Sequence, residues 1–153
     1  MRSMPLGRKL RGCYSNGGGN AGDEGGCLCG AVRYTAHGET EFFLVCHCRD
    51  CQKFTGSAFG ALVWLPQSAI EIQGALKTFT KTADNGKPIV RHFCPECGSS
   101  ITEESSARPG MLIVNAGTLD DPTFVTPTTE IYCDRGLWVQ LSGGMQRFAE
   151  MPT

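Results

Sequence analysis

Cys46-His47-Cys48-Arg49-Asp50-Cys51 places three cysteines within six positions. As disulfides these thiols would each need a different distant partner. Convergence on one soft metal ion needs only that their sulfurs meet, and dense thiolates are how a chain encloses zinc. Three sulfurs leave a tetrahedral ion one ligand short, so the remainder of the chain is read for what closes that position.

The nine cysteines fall as a lone Cys13, Cys27-x-Cys29, Cys46-x-Cys48-x-x-Cys51, Cys94-x-x-Cys97 and a lone Cys133. A secreted disulfide framework would favour an even count, spread spacing and a leader. Arg2, Arg8, Lys9 and Arg11 are followed by no apolar stretch, so no secretory signal is expected. Retained thiols then predict a reducing compartment, the cytoplasm.

The 153 residues suit one domain, and a formal charge of −1 with 19% charged residues argues against nucleic acid as a partner. No apolar run approaches the ~20 residues of a membrane span. Residues 1–24 read as a flexible N-terminal tail, with the glycine-rich run Asn16 to Asn20 inside it and Cys13 excluded from the ligands. Residues 25–150 read as the zinc-binding domain.

Within that domain, short alternating or apolar runs separated by Gly, Pro and Asn predict strands at Ala31–Thr35, Phe42–Val45, Ala58–Leu65, Ile70–Ile72, Lys77–Thr80, Ile89–Phe93, Ser99–Thr102, Met111–Val114 and Thr129–Cys133. Pro66 is expected to stop the third of these, and Ala116 to Pro122 to form a loop. Asp84-Asn85-Gly86-Lys87 is a hairpin turn. Cys48 to Thr55 fits a single helical turn, and Leu137 to Val139 with Phe148 fit core or lid positions. The expected fold is all-β, with small antiparallel sheets held by zinc–thiolate sites and little helix.

Cys94-Pro95-Glu96-Cys97-Gly98 reads as a zinc knuckle, in which Gly98 is free to turn left-handed behind the second ligand. Together with Cys27 and Cys29 it can supply a closed four-thiolate site, and metal-coupled folding of that kind is worth on the order of 10 kcal/mol. Cys46, Cys48 and Cys51 remain, with one position open, which distinguishes catalytic from structural zinc. Cys133, His47 or His92 could close it. His47, between two ligands in an extended segment, points away from them, and His92 shares the face of Cys94. Spacing equally allows Cys48-x-x-Cys51 to pair with Cys94-x-x-Cys97, leaving Cys27, Cys29 and Cys46 as a trio.

Gly26-Cys27-Leu28-Cys29-Gly30-Ala31-Val32, Cys46-His47-Cys48-x-x-Cys51-Gln52-Lys53 and Phe93-Cys94-x-x-Cys97-Gly98-Ser99 resemble the glutathione-dependent formaldehyde-activating enzyme family. Gly117 to Asp121 and Ile131-Tyr132 with Trp138 extend the resemblance over residues 24 to 150. It implies a β-tent fold, with a structural zinc on Cys27, Cys29, Cys94 and Cys97 and a second, labile zinc on Cys46, Cys48 and Cys51. It also implies a carbon–sulfur lyase that joins a glutathione-like thiol to an aldehyde, formaldehyde in the family's named reaction. Cys46, Cys48 and Cys51 would then be the catalytic set, Arg49 and Lys53 the contacts to the thiol's carboxylates, and Ser99 or Ser100 a donor to the developing oxyanion. A zinc-stabilised binding or scaffold module without catalysis is the alternative reading. Glu130 departs from the family pattern, where relatives often have a histidine.

Overall fold

The computed structural model describes residues 23–37, 42–123, 125 and 127–136. Most of the proposed tail, including Cys13, and the Leu137 to Val139 and Phe148 positions lie outside these residues. The described chain runs β1 (Asp23–Gly26), β2 (Arg33–Ala36), β3 (Phe42–Cys46), α1 (Arg49–Thr55), β4 (Gly60–Pro66), β5 (Ile70–Gln73), β6 (Lys77–Thr82), β7 (Pro88–Phe93), β8 (Ser100–Ser105), β9 (Met111–Asn115) and β10 (Thr129–Ile131). The all-β expectation with little helix holds, and the predicted strands form within a few residues of the expected bounds.

Three strands make a small sheet in the order β1-β2-β5, and seven make a second in the order β10-β3-β4-β9-β8-β7-β6. Every pairing is antiparallel except β10 with β3, which is parallel and sets Ile131 beside Cys46. Asp23 and Glu24, placed with the tail on composition, begin β1 and pair with Ala36 and Thr35. Backbone pairing at a sheet edge does not require apolar side chains, so composition missed them. Pro66 is the last residue of β4 rather than the residue beyond it.

Both faces of the larger sheet are covered, which explains why β4 and β9 read as continuous apolar runs rather than alternating ones. On one face Phe43, Val63, Leu65 and Val114 pack with Val32, Tyr34 and Ala36 of the small sheet. On the other, Leu44, Leu62 and Ile113 pack with Cys46 and Cys51. Alternation along each strand assigns the residues to the two faces. The Ala116–Thr118 segment, expected as loop, closes a 3₁₀ turn whose Thr118 hydroxyl meets Tyr34 Oη at 2.9 Å. Asp84-Asn85-Gly86 makes the predicted turn between β6 and β7, with Gly86 at φ 77°.

Gly25 sits where β1 passes over Tyr34. A Cβ there would overlap the Tyr34 ring and the Thr118 carbonyl oxygen. Gly25→Ala is therefore expected to destabilise the domain by about 1–3 kcal/mol, as overpacking does. Thermal unfolding should show a drop of roughly 5 °C; an unchanged midpoint would mean that β1 is not packed as described.

Candidate metal centres

The knuckle forms as its sequence predicts. Cys94 N–H donates to the Ser99 carbonyl at 3.0 Å and Gly98 N–H to the Cys94 carbonyl at 2.9 Å, with Gly98 at φ 74°. The Cys27–Gly30 turn, just ahead of β2, brings the other two sulfurs against it. Cys27 Sγ lies 3.5 Å from Cys29 Sγ, and Cys29 Sγ lies 3.8 Å from Cys94 Sγ. Zinc–sulfur bonds of ~2.3 Å in a tetrahedron place sulfurs about 3.8 Å apart, so these four residues fit such an ion.

Backbone and hydroxyl groups surround this cluster as outer partners. Val32 N–H donates to Cys27 Sγ at 3.1 Å. Leu28 N–H donates to Ser99 Oγ at 3.0 Å, and Ser99 Oγ lies 3.2 Å from Cys97 Sγ. That hydroxyl hydrogen bond is the main reason the Cys97 thiol is held down at about 5. Ser99, one of two candidate oxyanion donors, is thereby committed to the four-cysteine centre. Ser100, the other, donates to the Phe54 carbonyl at 2.7 Å.

Cys46, Cys48 and Cys51 meet because a strand ends where a helix begins. Cys46 closes β3, Cys48 caps α1 with its Sγ accepting from Cys51 N–H at 3.3 Å, and Cys51 lies in the first turn. Their sulfurs all lie within 4.8 Å of one another, and Cys46 and Cys51 are buried. Gly60, opposite Cys46, leaves the space that the Cys51 side chain occupies; a Cβ there would come within 3.3 Å of the Cys51 Cβ.

Among the described residues no fourth His, Cys, Asp or Glu joins this cluster. His47 turns away, its ring edge-on to Phe59 with centroids 5.8 Å apart and Nε2 4.0 Å from Glu130. His92 bonds Glu104 at 3.0 Å, and Cys133 is exposed. Of the two pairings that spacing allows, the structure brings together Cys27, Cys29, Cys94 and Cys97, and separately Cys46, Cys48 and Cys51.

Of the two proposed cationic contacts, Arg49 bonds the Gln52 side chain. Lys53 lines a cleft of about 600 Å³ between α1 and the knuckle, together with Phe54, Phe59, Ser100, Asn115 and Thr118. Gln52, quoted in the motif but given no role from sequence, is 4% exposed and joins two segments: its Nε2 donates to the His47 carbonyl at 2.8 Å and the Arg135 carbonyl at 3.1 Å. No spacing rule exposes such a residue, since its partners are main-chain carbonyls.

The described chain is thus an all-β domain with a four-cysteine and a three-cysteine cluster, each of which could hold a metal ion. The chain belongs to the glutathione-dependent formaldehyde-activating enzyme family, whose profile matches residues 23–135. Its fold is similar to a crystal structure of a Rhodobacter sphaeroides protein, with a TM-score of 0.52 and 21% identity over 70% of this chain and 98% of that one. No helix among the described residues is long and apolar enough to cross a membrane.

Hydrogen bonds from Cys46 and then Cys51 hold the Cys48 thiol down at about 2. Cys46 is pushed up to about 11, chiefly by its hydrogen bond to Cys48, and Cys51 is raised by its bonds to Cys46 and Cys48. Without a cation the cluster therefore holds one thiolate and two thiols near neutral pH. A metal ion must displace the two protons, so occupancy is favoured as pH rises and lost as it falls. Calorimetric titration of zinc into protein whose four-cysteine site is already filled, repeated in buffers of different protonation enthalpy, should show about two protons released per ion. Release of none would contradict the protonation pattern of Cys46 and Cys51.

Proposed function

We propose that the domain joins a small thiol of the glutathione type to an aldehyde at the Cys46–Cys48–Cys51 centre, with a structural zinc on the other four cysteines. In the forward direction a bond forms between the thiol sulfur and the aldehyde carbon, the carbonyl π-bond breaks, and the thiol's proton ends on the oxygen of the hydroxymethyl product. The reverse direction breaks the carbon–sulfur bond, which makes the activity that of a lyase. The carrying observation is a converged three-sulfur set that no fourth described ligand completes. Family membership supports the same reading.

A zinc ion held by these sulfurs would supply an open Lewis-acid position at which a substrate thiol binds as its thiolate. The protein's own contribution is placement. Cys46, Cys48 and Cys51 are fixed by the strand end and the helix start. Gln52 ties the intervening His47 main chain to Arg135. Lys53, which pairs with no carboxylate among the described residues, stands at the cleft as a cation for a substrate carboxylate. Phe54 and Phe59 make part of the cleft wall apolar. Thiol-dependent chemistry of this kind suits a reducing compartment, and the cytoplasm is the proposed location.

The test is Cys48→Ser, compared with wild type for zinc content and for formaldehyde–glutathione turnover. The variant should fold, keep the zinc of the four-cysteine site, lose the other and lose turnover by orders of magnitude. A folded one-zinc variant that turns over at the wild-type rate would sink the enzyme and leave the binding-module reading. Lys53→Ala should raise KM for glutathione several-fold with little change in kcat, because it removes binding common to ground and transition states. The same KM in both proteins would remove Lys53 from the thiol site.

A further inference from the structure

Asn115, the last residue of β9, lines the cleft between α1 and the knuckle and is only 5% exposed. Neither its Oδ1 nor its Nδ2 has a hydrogen-bond partner among the described residues. Its main chain is fixed: β9 pairs it with Leu62 of β4, and the Thr118 hydroxyl donates to its carbonyl at 2.8 Å. Other hydroxyls on the cleft walls are already engaged. Thr55 donates to the Cys51 carbonyl at 2.8 Å, Ser100 donates to the Phe54 carbonyl, and Ser99 meets Cys97 Sγ. The Asn115 carboxamide is the buried group on these walls with both a donor and an acceptor unused.

A buried amide without partners costs the desolvation of a donor and an acceptor, so it suits a ligand that supplies both. Such a ligand must present a C=O to Nδ2 and an N–H to Oδ1 on one side. A single trans peptide bond does not, because its N–H and C=O point opposite ways. One residue in extended conformation does: its own N–H and C=O share a side, which is how a strand residue exchanges two hydrogen bonds with its neighbour. A cleft of about 600 Å³ has room for a short peptide. Strand alternation puts Asn115 on the face of Ile113, and its register partner Leu62 packs with Cys46 and Cys51. A peptide residue clamped there lies on the three-cysteine side of the sheet, with Lys53 on the helix wall for a terminal carboxylate.

We infer that Asn115 makes the cleft a peptide site: its carboxamide pairs with the main-chain N–H and C=O of one extended residue, so the thiol accepted is one carried on a peptide rather than a simple mercaptan. The thiol in this statement rests on the proposed function, whereas the clamp on the peptide backbone rests on Asn115 and the cleft. Asn115 sets specificity and takes no part in bond making.

The experiment is calorimetric binding of S-methylglutathione to the zinc-loaded protein, whose turnover the blocked sulfur cannot enter. Methylthioacetate is the second probe, since it keeps a thioether and a carboxylate but has no peptide bond. Wild type should bind S-methylglutathione at least about tenfold more tightly than methylthioacetate, and Asn115→Leu should abolish that preference. Equal affinity of wild type for the two probes, no binding of S-methylglutathione by wild type, or an unchanged preference in Asn115→Leu overturns the proposal. The comparison of probes on wild type needs no variant, so it decides even where Asn115→Leu fails to fold. Turnover separates this outcome from the fate of the enzyme reading. Wild type that binds the peptide through Asn115 but does not join glutathione to formaldehyde loses the enzyme and keeps the peptide site. Wild type that turns over, with the same KM for glutathione in Asn115→Leu, loses the peptide site and keeps the enzyme.

Discussion

Four sulfurs from two distant parts of the chain meet at one point: Cys27 and Cys29 from the turn before β2, Cys94 and Cys97 from the knuckle after β7. That convergence joins the small sheet to the large one. The turn and the knuckle are short, glycine-bearing and poor in apolar side chains, so little else would hold them together. A thiolate-bound ion would replace the hydrophobic contact that so small a core cannot supply there. The hydrogen bonds of Val32, Leu28 and Ser99 around the sulfurs then set the direction in which β2 leaves the turn.

With the sheets joined, the second centre follows from the sheet having two faces. The face opposite the small sheet is covered by α1 and its buried contacts, and it is on this side that Cys46 and Cys51 pack against Leu62 and Ile113. The helix is only seven residues long and is held down by few groups. Asp50 pairs with Lys81 of β6, Phe54 rests on Arg91, and the Phe54 carbonyl accepts from Ser100. Each contact comes from a different strand, so the position of Cys51 depends on the whole edge of the sheet from β6 to β8.

The two centres differ in how they are surrounded. The four-cysteine site has main-chain and hydroxyl donors around its sulfurs, although Cys29 is exposed. The three-cysteine site sits between a sheet face and a helix start, and on the same sheet face Arg91 Nε pairs with the buried Glu103 at 3.0 Å.

Ligand identity was legible in the residues because it depends on local chemistry: thiols packed as Cys-x-Cys and Cys-x-x-Cys have few other uses, and Gly98 behind a knuckle has one. The strands were legible for the same reason, since β4 and β9 carry their burial in their own composition. Spacing could not say which cysteine pairs share an ion. That depends on the two sheets that carry β2 and β7 packing against each other, and the family resemblance, rather than arithmetic, pointed to the arrangement found. Gln52, Arg91 and Glu103 escaped notice because their partners are main-chain carbonyls or residues on neighbouring strands. The parallel placement of β10 beside β3 was equally hidden, since a three-residue strand carries no mark of its partner. Sequence alone determined which atoms could bind metal; only the tertiary structure decided which of them meet, because meeting is set by strand register and face.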